Sequence, residues 1–321
     1  MIRKSPRKLS TTELTAIITD YNAQREIVAQ NYNAGNKSLR KIMAVMSFLA
    51  FIIIIIVFKS FGGQPGFYAV VVSLIILMFF YSWRSSVDIS SAKRLQEQLR
   101  KLIFPTIFEN VDDFSYDAKT NGFVQQIPES IMPKYNRSEW GDLIQGKFNN
   151  QSFAINEINL SYKTSGKASR TVTVFKGVVV RLQRRADKAP TLTVRNNRMA
   201  LTKWVSNAVG SGIKDQHIKV LDEDIEGQYD VHCRDQNYVK KVFSSDGIKL
   251  FKTMIREHAQ GQFQFATSDS HIYLLIEQDH DFFELPSINF PLDQVEDIIR
   301  LRKEMKGFLN LFKQMDKLLA A

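Results

Sequence analysis

The stretch Thr171-Val-Thr-Val-Phe-Lys-Gly-Val-Val-Val180 decides the fold of the larger part of the chain. It consists mainly of β-branched and aromatic residues, which are typical of strands. Under strand alternation one face is shared by Val172, Val174, Val178, Val180 and Leu182. The pattern therefore predicts the strand Thr171–Leu182, with a bulge or bend at Lys176 and Gly177 in its middle.

Five further segments have the same composition and similar length. They are Ser152–Tyr162, Thr191–Arg195, Tyr229–Cys233, Phe263–Ala266 and His271–Ile276. The last two flank Thr267-Ser-Asp-Ser270, which predicts a hairpin. Since most strands follow one another without a crossover helix, the class is α+β with an antiparallel sheet.

Two helices are predicted among and after these strands. The first covers Asn237–His258 and is broken near Ser244-Ser-Asp-Gly247. The second is a long C-terminal helix, Pro291–Leu319, with apolar residues every three or four positions. This stripe is compatible with a helix that packs on the sheet or with a coiled coil, and we favour the helix that packs on the sheet. Residues 111–321 are thus expected to form one α+β domain.

Two apolar runs, Ile42–Phe58 and Gly66–Trp83, contain no charged residue. Each reaches about 25 Å as a helix, which predicts a transmembrane hairpin within residues 37–84. Basic residues flank the hairpin, and Lys59 alone is basic in its connecting loop. The positive-inside rule then places both termini in the cytoplasm and makes the chain an integral membrane protein.

Helical segments are predicted on both sides of this hairpin. Residues 1–36 contain an amphipathic helix that starts at the capping box of Ser10 and Glu13 and ends near Asn33–Asn36. Residues 85–110 form a stalk helix stopped by Pro105. Either these helices pair with each other or with a second copy in a homo-oligomer, or they lie against the α+β domain.

Charge is the most distinctive feature beyond the apolar runs, because the chain carries a net +10. Basic residues crowd the stretch Ser161–Trp204, where only Asp187 opposes them. The partner expected for them is a bilayer with anionic headgroups. The candidate contacts are Lys37, Arg40, Lys41, Arg84, Lys163, Lys176, Arg181, Arg184, Arg185 and Arg195. Few aromatic residues accompany them and no nucleic-acid motif is present, which disfavours a nucleic acid partner.

No catalytic or metal-binding pattern stands out in the sequence. The five histidines lack metal-ligand spacing, and no cofactor motif occurs, so neither a metal nor a cofactor is predicted. The triplet Asp279-His280-Asp281 is expected to be an exposed turn, and Cys233 an ordinary core residue. No residue is singled out as catalytic, and a non-enzymatic protein is predicted.

The order of these features resembles a family of bacterial membrane proteins catalogued only as a domain of unknown function. The resemblance rests on the amphipathic N-terminal segment, the paired apolar runs, the strand Thr171–Val180, the hairpin Gln262–Ile276 and the closing helix. It implies a location in the bacterial inner membrane and brings no known activity or cofactor.

Three functions are compatible with these observations. The favoured one is a membrane-anchored cytoplasmic scaffold or interaction protein whose basic region faces anionic lipid headgroups, with a protein partner or second copy as further contacts. The first alternative is a module that binds a specific lipid headgroup. The second is an enzyme that acts on a lipid or a membrane-proximal substrate, which requires polar groups such as His258 or His280 to converge in one cleft.

Overall fold

The computed structural model describes residues 9–61, 91–165, 169–185, 189–197 and 216–320. These residues divide between two compact units. The helical unit consists of Leu9–Ile103 and Leu285–Asp297. The sheet unit consists of Phe104–Glu284 and Ile298–Ala321.

Within the described residues, the sheet unit contains one antiparallel sheet in the order β1-β2-β3-β4-β8-β7-β5-β6. Its strands are β1 Asp112–Asp117, β2 Arg137–Phe148, β3 Gln151–Lys163, β4 Thr171–Gln183, β5 Leu192–Asn196, β6 Tyr229–Cys233, β7 Phe263–Thr267 and β8 His271–Glu277. The antiparallel sheet and all six predicted strands are confirmed. The strands β1 and β2 were not predicted.

The irregularity predicted in β4 lies elsewhere in the strand. The register shifts between the pairs Leu160–Phe175 and Ser161–Thr173, so Val174 is the extra residue. Val174 therefore packs against the same core cluster as Phe175 and Val179, whereas Val178 lies on the other face of the strand. The prediction that the five apolar residues of β4 share one face is therefore wrong.

The helices, in chain order, are α1 Thr11–Phe61, α2 at residues 91–107, α3 Glu223–Glu226, α4 Gln236–Val242, α5 Ser245–His258 and α6 Glu296–Leu319. The predicted break between α4 and α5 is confirmed, and the Ser244 hydroxyl caps α5 by accepting from the Gly247 amide. The helix α6 begins at Glu296 and not at Pro291, since the Asp293 carboxylate accepts from the amides of Val295 and Glu296.

Both faces of the sheet are covered. On one face Phe312 of α6 packs on Phe153 of β3, with 5.1 Å between the ring centroids. The stripe of α6 thus closes the sheet, as predicted. On the other face the segment 123–131 contributes buried apolar side chains to a cluster with β3, β4, β7 and β8. Cys233 is fully buried in β6, which confirms its prediction as a core residue.

In the helical unit, α1 begins at the predicted capping box. The Ser10 amide donates to the Glu13 carboxylate (2.8 Å), and the Glu13 amide donates to the Ser10 hydroxyl (3.2 Å). The helix does not end near Asn33–Asn36, because one glycine costs only about 1 kcal/mol in a helix and no proline follows. Pro105 likewise does not stop α2, which continues to residue 107.

The prediction of an integral membrane protein is overturned. Among the described residues, no helix is long and apolar enough to cross a membrane. The first predicted span, Ile42–Phe58, continues from a polar helix without interruption and is the C-terminal part of the 51-residue α1. The second predicted span, 66–83, lies outside the described residues. An apolar run at the lower limit of bilayer thickness does not distinguish a span from an ordinary helical segment. The transmembrane hairpin and the inner-membrane location with cytoplasmic termini are therefore withdrawn.

Candidate functional site

A cleft of about 330 Å³ lies over the strands β2, β3 and β4 and is bordered by the loop after β8. We call it the strand cleft. Its polar lining residues are Glu139, Glu157, Asn159, Lys176, His280 and Asp281. A concave site with converging polar groups is the usual form of a ligand-binding site.

A bulge in β2 creates the space for Glu157. The register shifts between the pairs Trp140–Ile158 and Leu143–Asn156, so Gly141 and Asp142 both lie opposite Glu157. A Cβ atom on Gly141 would lie 2.7 Å from the Glu157 Cβ and 2.8 Å from its Oε2. Glycine is therefore needed at this position for the Glu157 side chain to fit.

A second glycine shapes the cleft from β4. Gly177 has a φ of +155°, in the region that favours glycine. A Cβ atom there would lie 2.1 Å from the carbonyl oxygen of Ile276 in β8. The two neighbouring strands approach so closely at Gly177 that no side chain fits between them.

Glu157 is the most perturbed acid of the site. Burial raises the pKa of its carboxyl to about 8, and the nearby Asp142 and Asp281 carboxylates act in the same direction. The backbone amide of Phe282, which donates to Oε1 at 2.7 Å, acts against this rise. The Glu157 carboxyl is therefore mostly protonated at neutral pH and can donate a hydrogen bond.

The rim of the strand cleft holds one basic and several acidic side chains. Lys176 Nζ lies 3.4 Å from the Asp281 carboxylate and donates to the Asp279 carbonyl at 3.1 Å. The Asn159 amide donates to the Glu139 carboxylate at 3.2 Å. Because Lys176 is matched by Asp281, Glu139 and the mostly protonated Glu157 are the lining acids without a basic partner in the cleft.

The predicted turn Asp279-His280-Asp281 forms the border of this cleft. Its residues are exposed, as expected, but two of them line the site. His280 Nδ1 lies 3.2 Å from the Asp279 carboxylate, and this hydrogen bond lowers the pKa of Asp279.

The predicted lipid contacts are spread over the molecule. Lys37 and Lys41 are exposed on α1, Arg40 lies in α1 with its side chain outside the described residues, and Arg84 lies outside them altogether. Lys163 is exposed at the end of β3.

The remaining predicted lipid contacts, which lie in or next to the strands β4 and β5, contact different parts of the molecule. Lys176 borders the strand cleft, whereas Arg181 is bonded to Gln126 (2.5 Å) on the opposite face of the sheet. Arg185 pairs with Asp316 at 2.9 Å, and Arg195 with Asp230 at 3.3 Å. The structure does not bring these residues together on one surface.

Arg184 is buried, and its side chain holds neighbouring segments of the sheet unit together. It is 4% exposed, and its guanidinium donates to the carbonyls of Ala189, Ser268 and Pro190 and to the Tyr238 hydroxyl. These bonds tie the end of β4 to the segment before β5 and to α4. A side chain enclosed in this way is not available to a headgroup.

The histidines do not converge. His217 and His232 are neighbours, with 5.4 Å between ring centroids, while His258 contacts Gln314 at 3.0 Å. His271 contacts Ser270, and His280 alone lines the strand cleft. Among the described residues, no group of three or more His, Cys, Asp or Glu side chains could hold a metal ion.

Glu157 was missed from the sequence. The available signal was an acidic residue inside the stretch Phe153-Ala-Ile-Asn-Glu-Ile158, which is apolar except for Asn156 and Glu157. Acidic residues are rarely buried unless they are paired or functional, so an acid in the middle of a predicted strand indicates a candidate site.

Comparison with known proteins finds one family model that matches a region of the chain. Residues 173–317 match the family described as "Protein of unknown function (DUF3137)". The predicted resemblance to a domain of unknown function is thereby confirmed over this region. No curated protein matches the chain.

One solved structure is similar to the chain, the mycobacterial trehalose monomycolate transport factor A, TtfA. The similarity covers 64% of this chain and 86% of that chain, at 9% sequence identity and a TM-score of 0.38. At these values the likeness supports no argument about fold or function.

Proposed function

We propose that the protein is a non-enzymatic interaction protein whose strand cleft binds a cationic side chain of a protein partner. The observation that carries the proposal is Glu157, a carboxyl that lines the cleft and has a pKa of about 8. The site therefore presents a group that becomes negative when a cation comes close.

The charges around the cleft support a cationic ligand. Lys176 is matched by Asp281, and Glu139 is a further acid on the rim. An anionic ligand would meet these carboxylates at short range, where like charges repel each other. An arginine or lysine side chain would instead pair with Glu139 and Glu157.

Binding of such a cation would release a proton. At neutral pH the Glu157 carboxyl is mostly protonated, and an adjacent positive charge lowers its pKa. Affinity is therefore expected to increase with pH through about 8, where half of the free Glu157 carboxyls are ionised, and to level off at higher pH.

Two observations support a binding role over a catalytic one. The described residues that line the cleft include no serine, threonine or cysteine that could act as a nucleophile. The enzymatic alternative named His258 and His280 as polar groups that would converge in one cleft, and of these two only His280 lines it.

Calorimetric titration of the full chain with the peptide acetyl-Gly-Arg-Gly-amide tests the proposal. Titrations in two buffers of different ionisation enthalpy give the number of protons released, for which we expect about one per peptide at neutral pH. Glu157→Gln should bind more weakly and release no proton.

Matched controls separate this site from general charge attraction. Glu223→Gln removes an exposed acid on α3 and should leave binding unchanged. The same peptide with citrulline in place of arginine is uncharged and should not bind. Equal binding of both peptides, or an unaltered proton release in Glu157→Gln, contradicts the proposal.

A further inference from the structure

On the solvent side of α6, every exposed charged residue from 299 to 317 is basic. Its exposed positions from 299 to 317 are Ile299, Arg302, Lys303, Lys306, Asn310, Lys313 and Lys317. None of these described positions is acidic. We call this surface the basic face.

Helix stability alone does not account for the arrangement. Arg302 and Lys306 are four residues apart, as are Lys313 and Lys317, and like charges at this spacing destabilise a helix. Arg302 is compensated by Glu109 at 2.7 Å. Lys306 and Lys313 form no ion pair with any described residue.

A cavity lies between the basic face and the end of α2. It has a volume of about 330 Å³, and its apolar lining comes from Ile107, Phe108 and Met305. Asn110 also lines it, together with Glu109 and Arg302, which neutralise each other in an ion pair of 2.7 Å. Lys306 and Lys313 both border it, and Lys313 Nζ lies 5.3 Å from the centroid of the Phe148 ring. Two turns of helix separate the lysines by about 10 Å, which leaves room for one anionic group between them.

We propose that the basic face docks on the surface of a bilayer that contains anionic phospholipid, with one headgroup held between Lys306 and Lys313. Charge complementarity carries the assignment, since the face offers five cations and, within the described part of the chain, an ion pair is formed by Arg302 alone. The headgroup phosphate would pair with the two lysines, and apolar atoms beside it would meet the lining of the cavity. The contact is peripheral and involves no spanning segment.

The apolar lining favours lipid over nucleic acid. A nucleic acid partner would use the lysines but has no apolar group to place against Phe108 and Met305. Single-strand binders also stack bases on exposed aromatic side chains. The described exposed positions of the basic face from 299 to 317 include no aromatic residue.

Vesicle flotation of the full chain tests the proposal. One set of vesicles is phosphatidylcholine alone, and the other is equimolar phosphatidylcholine and phosphatidylglycerol. The measured quantity is the ratio of the two partition coefficients, because any contribution of the apolar run Ile42–Phe58 is common to both sets. Each lysine near an anionic surface contributes about fivefold, so K306Q/K313Q should reduce the ratio about 25-fold.

A matched double variant identifies the surface. K134Q/K249Q removes the same charge from exposed positions elsewhere in the sheet unit and should change the ratio by less than about twofold. Circular dichroism and thermal melting establish that both variants are folded. Equal losses in the two variants would show attraction by net charge alone and overturn the proposal. A wild-type ratio near one, or displacement from vesicles by duplex DNA at matched phosphate concentration, would overturn it as well.

Discussion

The strand cleft and the basic face are opposites within the same sheet unit. The cleft depends on irregular backbone, namely a β2 bulge at Gly141 and a close approach at Gly177. The basic face is the solvent side of a regular helix. In the cleft, burial raises the pKa of Glu157, whereas the lysines of α6 are exposed to solvent.

This difference separates two ways of making a charged surface. A buried acid requires many neighbours to be in place, so substitutions around it should alter stability and its pH dependence. Exposed lysines on a helix make few contacts with the rest of the fold, so substituting them should alter binding more than stability. Four substitutions test this contrast.

The largest effect is expected from Gly177→Ala in the cleft. The new Cβ would lie 2.1 Å from the Ile276 carbonyl oxygen, at a φ of +155°. We expect destabilisation by about 3 kcal/mol or more, measured as a lower midpoint of chemical denaturation. A midpoint within error of wild type would show that β4 and β8 can separate locally, and the rigid description of the cleft would be wrong.

The next effect concerns the pH dependence of stability. The Glu157 pKa is raised from 4.5 to about 8, so the folded state retains a proton that the unfolded state releases. Around neutral pH this group therefore lowers stability as pH increases, by at most about 1.4 kcal/mol for one pH unit.

Glu157→Gln should remove this dependence. Denaturation midpoints measured from pH 5 to 9 should fall less steeply in the variant than in wild type, so the variant gains relative stability as pH increases. Contributions from His258, whose pKa is lowered by burial, are common to both proteins. Parallel curves for the two proteins would mean that Glu157 is ionised throughout.

Gly307→Ala on α6 is the counterpart of Gly177→Ala. No atom lies within 4 Å of the Cβ that this substitution would add. Because alanine has the higher helix propensity, we expect stabilisation by about 0.5–1 kcal/mol, seen as a higher melting temperature. A decrease would indicate that α6 needs local flexibility at this position.

The smallest effect is expected from Lys306→Glu on the basic face. It replaces a like-charge neighbour of Arg302 by an opposite charge, which should stabilise the helix by about 0.3–0.5 kcal/mol. The same variant should lose preference for anionic vesicles. A variant that is destabilised would show instead that Lys306 has a structural role in α6.

The sheet could be predicted from the sequence wherever strands are apolar and β-branched. β4 and β8 consist largely of such residues, and their observed bounds differ from prediction by one residue at one end. β1 and β2 were missed because Asp112-Asp-Phe-Ser-Tyr-Asp117 is acidic and β2 contains two glycines. These strands form because β2 pairs with β3 and β1 pairs with β2, and the residue pattern of one segment alone does not indicate such pairing.

The candidate site was largely out of reach of sequence reasoning. Glu157 lies about 120 positions from Asp281 in the chain, and only strand pairing brings them together. The apolar stripe of α6 predicts which side of the helix is buried, but the spacing of its lysines does not by itself predict a ligand for the exposed side. Lys176 and Arg181 are close in sequence, but they lie on opposite faces of the sheet because alternate residues of a strand face opposite sides.

The register between β3 and β4 has a practical consequence for fragments of this chain. The family match begins at residue 173, which lies inside β4, two residues after that strand starts. A fragment cut there would lack β1, β2 and β3, and the edge of β4 would present unpaired backbone groups along its length. Such an edge promotes aggregation. Fragments intended for expression should therefore keep all eight strands, and with them the acidic half of the strand cleft.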